Sequence, residues 1–167
     1  MDTSENQATN FTGFTTYHII NELTGEYLGE SKSQYDDEPN THYVLTTHWP
    51  SQPGWTSKKF QWAVVANFAP GIGQASDYQI VNLATGHGLK DSNVIFNDKG
   101  DYSVTASLDR VTDSSRWLIV EEDRGSFLIR NLFTGRLLGA SNKYINDKYP
   151  KRDHHVMSSP TAEDERF

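Results

Sequence analysis

The segment YHIINELTGEYLGES, from Tyr17 to Ser31, occurs in two further versions along the chain. They are YQIVNLATGHGLKDS, from Tyr78 to Ser92, and FLIRNLFTGRLLGAS, from Phe127 to Ser141. All three fit one pattern without gaps: aromatic-x-Ile-x-Asn-x-x-Thr-Gly-x-x-Leu-x-x-Ser. Agreement at seven positions in three copies predicts that the chain repeats one structural unit three times.

Each copy of this pattern is typical of a β-hairpin. The aromatic residue and the isoleucine stand two positions apart, so they share one face of a strand. The Asn-x-x-Thr-Gly portion is turn chemistry, because asparagine hydrogen-bonds its own backbone and glycine adopts a positive φ without steric cost. The leucine then begins the return strand, which completes the hairpin.

Further strands are predicted downstream of each hairpin. Third strands are expected at 43–46, 102–105 and 155–158, and fourth strands at 63–65 and 118–120. A closing aromatic residue follows each third strand: Trp62, Trp117 and Phe167. The alignment treats His155 as the equivalent of Tyr43 and Tyr102, which predicts a core position for it.

Three units of four strands predict an all-β fold, specifically a β-trefoil with three pseudo-equivalent repeats. A closed barrel removes exposed sheet edges, which an open array of three units would leave bare. The last repeat is expected to lack its final strand because the sequence stops at Phe167. A β-sandwich or a small propeller is the alternative.

The length of 167 residues is typical of one domain. We therefore expect a single domain over 1–167, with repeats at about 14–67, 75–122 and 124–167 and a flexible segment at 1–10.

The composition favours some cellular locations and some kinds of binding partner over others. The chain contains no cysteine, which excludes disulfides and thiolate metal sites and fits a reducing compartment. The polar, acidic start does not resemble a signal peptide, so we expect a cytoplasmic protein, with unconventional secretion as the alternative. No apolar stretch is long enough to cross a bilayer, which predicts no membrane insertion. A net charge of −7 argues against a nucleic-acid partner.

The repeated Tyr-x-Ile-x-Asn-x-x-Thr-Gly-x-x-Leu pattern, followed by a tryptophan, resembles the ricin-B-type β-trefoil lectins. The likeness is closest to the cysteine-free cytoplasmic lectins of fungi and covers the chain from Tyr17 to Phe167. It implies a carbohydrate-binding function. The Gln-x-Trp triplet and the aspartate common in that family are absent here, since Gly29, Lys90 and Gly139 occupy the aspartate position.

The resemblance also implies where sugar would bind. In the first unit a stacking tryptophan, a carboxylate and an amide fall near the family's positions, and in the second unit a carboxylate and an amide remain. The implied carbohydrate-binding residues are Glu30, His48, Trp49, Lys59, Gln61, Asp91 and Asn93. The alternative interpretation is structural, with Trp49 packed under its loop and Gln61 a polar residue on a strand face.

Other chemistries find little support in the sequence. His154 and His155 are adjacent, and adjacent strand residues point to opposite faces, so no metal site is predicted. No catalytic motif or phosphate-binding loop is present, and the loop carboxylates show no feature that would fix a catalytic pair. We therefore expect no enzymatic activity and no cofactor.

The sequence thus favours a non-catalytic lectin that binds glycans or glycoproteins. Single shallow sugar sites bind weakly, so useful affinity would need several sites or a homo-oligomer. Two alternatives remain open: a protease inhibitor acting through the loop from Trp49 to Lys59, and a protein-interaction subunit of a larger assembly.

Overall fold

The computed structural model describes most of the repeated region. The described residues are 15–35, 38–48, 57–68, 71, 75–96, 100–109, 112–122, 125–144 and 153–160, without the side chains of 57 and 142–144. The predicted flexible segment 1–10, the predicted stacking residue Trp49 and the closing aromatic Phe167 lie outside the described residues.

Within the described ranges the chain is all-β, apart from two short 3-10 helices at Ser57–Phe60 and Asp113–Ser115. The strands are β1 (Thr16–Tyr17), β2 (Tyr27–Gln34), β3 (Thr41–Thr47), β4 (Trp62–Phe68), β5 (Ala75–Asn82), β6 (Gly88–Ile95), β7 (Tyr102–Ser107), β8 (Trp117–Glu121), β9 (Phe127–Asn131), β10 (Leu137–Tyr144) and β11 (His154–Ser159).

The strand pairing contradicts the predicted β-trefoil of three four-stranded repeats. Neighbouring strands follow the order β5-β6-β7-β3-β11-β10-β9-β8, and β8 pairs again with β5, which closes a barrel of eight strands. The other three described strands lie outside this ring. Of these, β4 joins β5 and carries β1 on its far side, while β2 pairs with β3.

The physical reason for the error lies in long-range pairing. The repeats indicate where strands begin along the chain, but they do not state which strands hydrogen-bond across the molecule. Here β3, β7 and β11, one from each unit, pair with one another in all three combinations. These contacts join the hairpins of different units into one continuous ladder.

The predicted turns are confirmed. In all three copies the pattern glycine has a positive φ, at 69°, 74° and 72° for Gly25, Gly86 and Gly135. The side-chain oxygen of the pattern asparagine accepts hydrogen bonds from the backbone a few residues later, as in the 2.9 Å bond from Thr24 N to Asn21 Oδ1. The asparagine and the glycine therefore set the turn.

The core is built from equivalent positions of the three units. Leu28, Leu89 and Leu138 are the pattern leucines, and all lie in the buried cluster. Trp62 and Trp117 are fully buried beside them. Each indole N–H donates to the carbonyl of the pattern leucine in its own unit, at 2.9 Å for Trp62 and 3.0 Å for Trp117. This bond satisfies the polar atom of a ring that is otherwise surrounded by apolar side chains.

The pairing register corrects the alignment of the third strands. Within each hairpin the pattern leucine lies opposite Thr46, Ala106 or Ser158. Counting four residues back from those positions makes Tyr102 equivalent to His42 and His154. The sequence alignment was therefore wrong by one residue in the second unit alone. It matched His155 with Tyr43 correctly, but their equivalent in the second unit is Ser103 and not Tyr102. Its ring is partly buried, with its centroid 5.8 Å from that of Tyr43.

Candidate functional site: three polar junctions and an apolar pocket

Consecutive units meet around a fully or almost fully buried carboxylate. We define the first junction as Glu30, His42, Thr85 and His87; the second as Asp91, Tyr102, Thr134, Arg136 and Ser158; and the third as Thr24, Glu26, Thr46 and His154. A buried carboxylate is costly unless hydrogen bonds or an opposite charge compensate it. Each junction compensates its carboxylate with a different set of partners.

At the first junction two imidazoles face one carboxylate. The hydroxyl of Thr85 donates to Glu30 Oε2 at 2.5 Å, and Nδ1 of His87 donates to Oε1 at 2.7 Å. Nδ1 of His42 also lies 2.7 Å from the same Oε1. That contact lacks hydrogen-bond geometry, so the buried Nδ1 of His42 has no hydrogen-bond partner among the residues that the structure describes.

At the second junction a guanidinium takes the place of the imidazoles. Arg136 Nε donates to Asp91 Oδ2 at 2.9 Å, and the hydroxyls of Thr134 and Ser158 each donate to the same carboxylate at 2.6 Å. The guanidinium carbon of Arg136 stands 3.4 Å from the centroid of the Tyr102 ring. The permanent charge of arginine therefore compensates Asp91 fully inside the protein.

At the third junction the acid stands at the position that His87 and Arg136 occupy at the other two junctions. Ala140 occupies the position of Glu30 and Asp91, while Glu26 occupies the position of His87 and Arg136. Nδ1 of His154 lies 2.9 Å from Glu26 Oε1, and the Thr46 hydroxyl donates to Oε2 at 2.8 Å. The small side chain of Ala140 thus leaves a single carboxylate at this junction.

An apolar pocket of about 460 Å³ lies on another part of the fold, between the start of the first unit and the start of the third. Val64, Ile119 and Ile129, from β4, β8 and β9, contribute apolar side chains to its lining. The remaining lining residues come from two chain segments and include three rings: Tyr17, His18, Ile19, Ile20, Glu22, Gly125, Ser126 and Phe127.

Polar groups are few in this pocket. Glu22 is the one carboxylate among the lining residues and is exposed, and Ser126 adds a hydroxyl. His18 is held in place because its Nδ1 donates to the Phe60 carbonyl at 2.9 Å. The pocket therefore offers aromatic and aliphatic surface with a small number of polar groups, as ligand pockets generally do.

The structure separates the predicted carbohydrate-binding residues of the first unit. Glu30 is fully buried at the first junction, and its carboxylate is occupied by residues of the first and second units. His48 is exposed, and its Nε2 lies 3.9 Å from Glu26, which belongs to the third junction. Lys59 instead interacts electrostatically with Glu30. The carboxylates near His48 and Lys59 are therefore different ones.

Lys59 and Gln61 flank the buried ring of Phe60 at the end of the first 3-10 helix, and both are partly buried. Burial lowers the pKa of the Lys59 ammonium from its usual value, and the negative charge of Glu30 opposes that shift. The backbone carbonyl of Gln61 accepts a hydrogen bond from Leu83 N at 2.8 Å, which ties this segment to the second unit.

In the second unit the predicted residues do lie close together. Asp91 is fully buried and bound by Arg136. Asn93 is exposed, and its Oδ1 lies 3.4 Å from Nη2 of the same arginine. The two residues are thus connected through Arg136, which sequence reasoning did not single out. Asn93 is the one of the pair that solvent reaches.

Sequence reasoning missed the first junction and the pocket. Glu30, His42 and His87 are 12 and 45 residues apart along the chain, so no local motif joins them. A usable signal existed for His87, because the residue after each Thr-Gly is Glu26, His87 or Arg136 and is buried in all three units. Charged residues at an equivalent position of every hairpin indicate that the units meet through ionic contacts.

No known protein-family model matches the chain, and no curated protein sequence matches it. Solved structures do match. A Caenorhabditis elegans protein of unknown function superposes with a TM-score of 0.71 at 16% identity, covering 99% of this chain and 96% of that one. ThreeFoil, a designed three-fold symmetric protein, has a TM-score of 0.64 at 17% identity over 90% of this chain and 94% of its own.

A third solved structure is much longer than this chain. The exo-β-1,3-galactanase 1,3Gal43A from Clostridium thermocellum matches with a TM-score of 0.63 at 16% identity, covering 89% of this chain and 28% of that one. At these identities the likeness is one of fold. The likeness to ThreeFoil therefore concerns the three-fold arrangement of an all-β chain, and the described strands close in the eight-stranded ring.

No helix in the described part of the chain is long and apolar enough to cross a membrane.

Proposed function

We propose that this protein binds carbohydrate without catalysing a reaction, and that the apolar pocket is its sugar site. The observation that carries the proposal is the fold shared with the galactanase, where the matching region is 28% of the chain. A fold that forms a minor part of a sugar-acting enzyme is suited to holding a glycan while other parts act on it.

The chemistry of the pocket supports this function. A sugar ring has an apolar C–H face that packs on aromatic rings, and Tyr17 and Phe127 provide such rings. Its hydroxyls need a small number of polar partners, for which Glu22 and Ser126 are suited. The volume of about 460 Å³ falls within the range of small-ligand sites and is ample for one sugar ring.

We expect no catalysis at this pocket. Glycoside hydrolysis in most families uses two carboxyl groups placed on either side of the scissile bond. Glu22 supplies one carboxylate, and none of the other lining residues is acidic. A single pocket of this kind would bind weakly, so biological affinity would come from several copies of the protein on a multivalent glycan.

A glycan array with the purified protein tests the proposal. We expect a discrete class of glycans to bind, and binding to fall at least tenfold in Tyr17→Ala and in Phe127→Ala. Phe133→Ala is the matched control, because Phe133 is 68% exposed in a turn and does not line the pocket.

Trp49→Ala tests the loop site that the sequence predicts around His48, Lys59 and Gln61. Loss of glycan binding in Trp49→Ala alone would move the site to that loop and retain the function. An array without any hit, from protein whose circular dichroism shows the folded state, would contradict carbohydrate binding.

A further inference from the structure

We propose that the first junction is a divalent transition-metal site in which Glu30, His42 and His87 are the protein ligands. One ring nitrogen of each imidazole and a carboxylate oxygen of Glu30 lie within 4.8 Å of one another. Two histidines and one carboxylate form a donor set that suits zinc and its first-row neighbours. This inference is independent of the sugar site, which lies elsewhere on the fold.

Comparison with the other two junctions shows why the first one calls for a cation. Asp91 is compensated by a permanent guanidinium, and Glu26 is matched with a single histidine at hydrogen-bond distance. At the first junction two imidazole nitrogens converge on the same oxygen, each at 2.7 Å. His87 makes the hydrogen bond, and His42 does not. The buried His42 Nδ1 therefore lies beside the carboxylate without a hydrogen-bond partner in the described part of the chain.

A divalent cation resolves this arrangement. A metal ion placed among the three groups would give Nδ1 of His42 the partner that it lacks among the described residues. A metal ion would take the lone pairs of both imidazoles and the charge of Glu30 together. The Thr85 hydroxyl, 2.5 Å from Glu30 Oε2, would hold the carboxylate in place from outside the ligand set.

The geometry requires only a small expansion. Ligand bonds to zinc are about 2.0–2.1 Å, so two ligand atoms of a tetrahedral site stand roughly 3.3 Å apart. The nitrogen-to-oxygen separations of 2.7 Å would have to open by about half an ångström. His42 is suited to this movement because its side chain remains 21% exposed, whereas Glu30 is fully buried.

The same exposure leaves room for a fourth ligand. Three protein ligands with one position open to water are the arrangement of exchangeable zinc sites. The metal would join a ligand of β2 and a ligand of β3 to His87, which follows the turn of the second unit. Binding would therefore fasten the first unit to the second and stabilise the folded chain.

The test uses the full chain without an affinity tag, stripped of metal with a chelator and then desalted. Isothermal titration with ZnCl₂ is expected to show one equivalent of zinc bound, and Co²⁺ is expected to give the intense visible absorption of a four-coordinate site. Zinc at about one hundred times its dissociation constant is expected to raise Tm by roughly 5–10 °C.

His42→Ala and His87→Asn are expected to weaken zinc binding at least tenfold. The asparagine amide at position 87 keeps a hydrogen-bond donor for Glu30, so this variant limits the structural damage. His48→Ala and His154→Gln are the matched controls and are expected to bind zinc as the unaltered protein does, since His48 is 76% exposed and His154 belongs to the third junction.

Two results would overturn the proposal. One is the absence of zinc heat and of a cobalt band in the folded, unaltered protein. The other is binding that survives in both His42→Ala and His87→Asn, or that is lost in His48→Ala, because either would place the metal on surface histidines.

Discussion

The buried polar atoms of single residues determine much of this structure. Trp62 has no exposed surface, yet it carries a polar N–H into the core, and the carbonyl of Leu28 accepts its hydrogen bond. Leaving a buried carbonyl without its donor costs more than the bond itself contributes, because the carbonyl has already lost water.

Trp62→Phe is therefore expected to lower the free energy of unfolding by about 2–4 kcal/mol, through the lost hydrogen bond and the smaller ring. Urea denaturation followed by circular dichroism measures this change in the free energy of unfolding. Phe133→Leu, at an exposed position, is the control and is expected to change stability by less than about 0.5 kcal/mol. A Trp62→Phe protein as stable as this control would show that the indole N–H is dispensable.

Lys59 gives a pH dependence whose sign follows from its lowered pKa. Between that lowered pKa and the ordinary value of 10.5, the unfolded chain holds the proton on Lys59 and the folded chain has released it. Stability in this window rises with pH, because the unfolded state binds more protons. The cost of burying the ammonium is present below the window and is relieved as the pH rises through it.

The measurement compares the protein with Lys59→Met, which has the same stem and no titrating group. The stability of the unaltered protein relative to Lys59→Met is expected to increase as the pH is raised toward 10.5. A difference that stays constant, or that decreases with rising pH, would contradict the lowered pKa.

At the scale of elements, strand β2 and the first 3-10 helix approach each other so closely that a side chain is excluded. A Cβ added at Gly29 would stand 2.6 Å from Cδ1 of the Phe60 ring and nearer still to Cε1. Phe60 itself is fully buried. The family pattern places an aspartate at this position, and here the aromatic ring fills that space.

Gly29→Ala is expected to destabilise the protein by about 1–3 kcal/mol through overpacking. Adding Phe60→Leu should recover part of this loss, since the shorter side chain yields space to the new methyl group. The check is a double-mutant cycle by chemical denaturation, with a coupling energy of at least about 1 kcal/mol in the favourable direction. Strictly additive effects would place the clash elsewhere.

The elements also show how far sequence reasoning reached. The turns, the pattern leucines and the two tryptophans were predicted correctly, because their roles depend on local chemistry or on burial that the repeat itself signals. The order of the strands in the sheet was not predicted correctly, because the mutual pairing of β3, β7 and β11 depends on residues far apart in sequence. Glu30 and Asp91, which are predicted to bind sugar, are enclosed between units by contacts of the same long-range kind.

At the scale of the whole molecule, the third junction differs from the other two in which side supplies the acid. Glu26 stands at the position that supplies His87 or Arg136 at the other junctions. Ala140 is 8% exposed and stands where Glu30 and Asp91 stand in the other units. A carboxylate introduced there would share a buried space with Glu26, and two buried like charges are strongly unfavourable.

Ala140→Glu is expected to destabilise the protein by about 3 kcal/mol or more. Combining it with Glu26→His reproduces the residue types of the first junction, together with His154, and should restore a large part of that loss. Thermal unfolding of the single and double variants measures both effects. The double variant should also raise the zinc stoichiometry from one to two. A double variant no more stable than Ala140→Glu would show that the junctions are not equivalent.

The transposed acid also means that the three units are not interchangeable parts. In a ring made of three copies of the first unit, Glu30 would face Glu26 at every junction. In a ring made of three copies of the third unit, Arg136 would face Ala140 at every junction. Only the middle unit carries both halves of a complementary pair, Asp91 and His87. A chain with three copies of 75–122 is thus the one symmetric version whose junctions would each contain an acid and a complementary partner. In the natural chain the first and third units do not complement copies of themselves, and this fixes the order of the units.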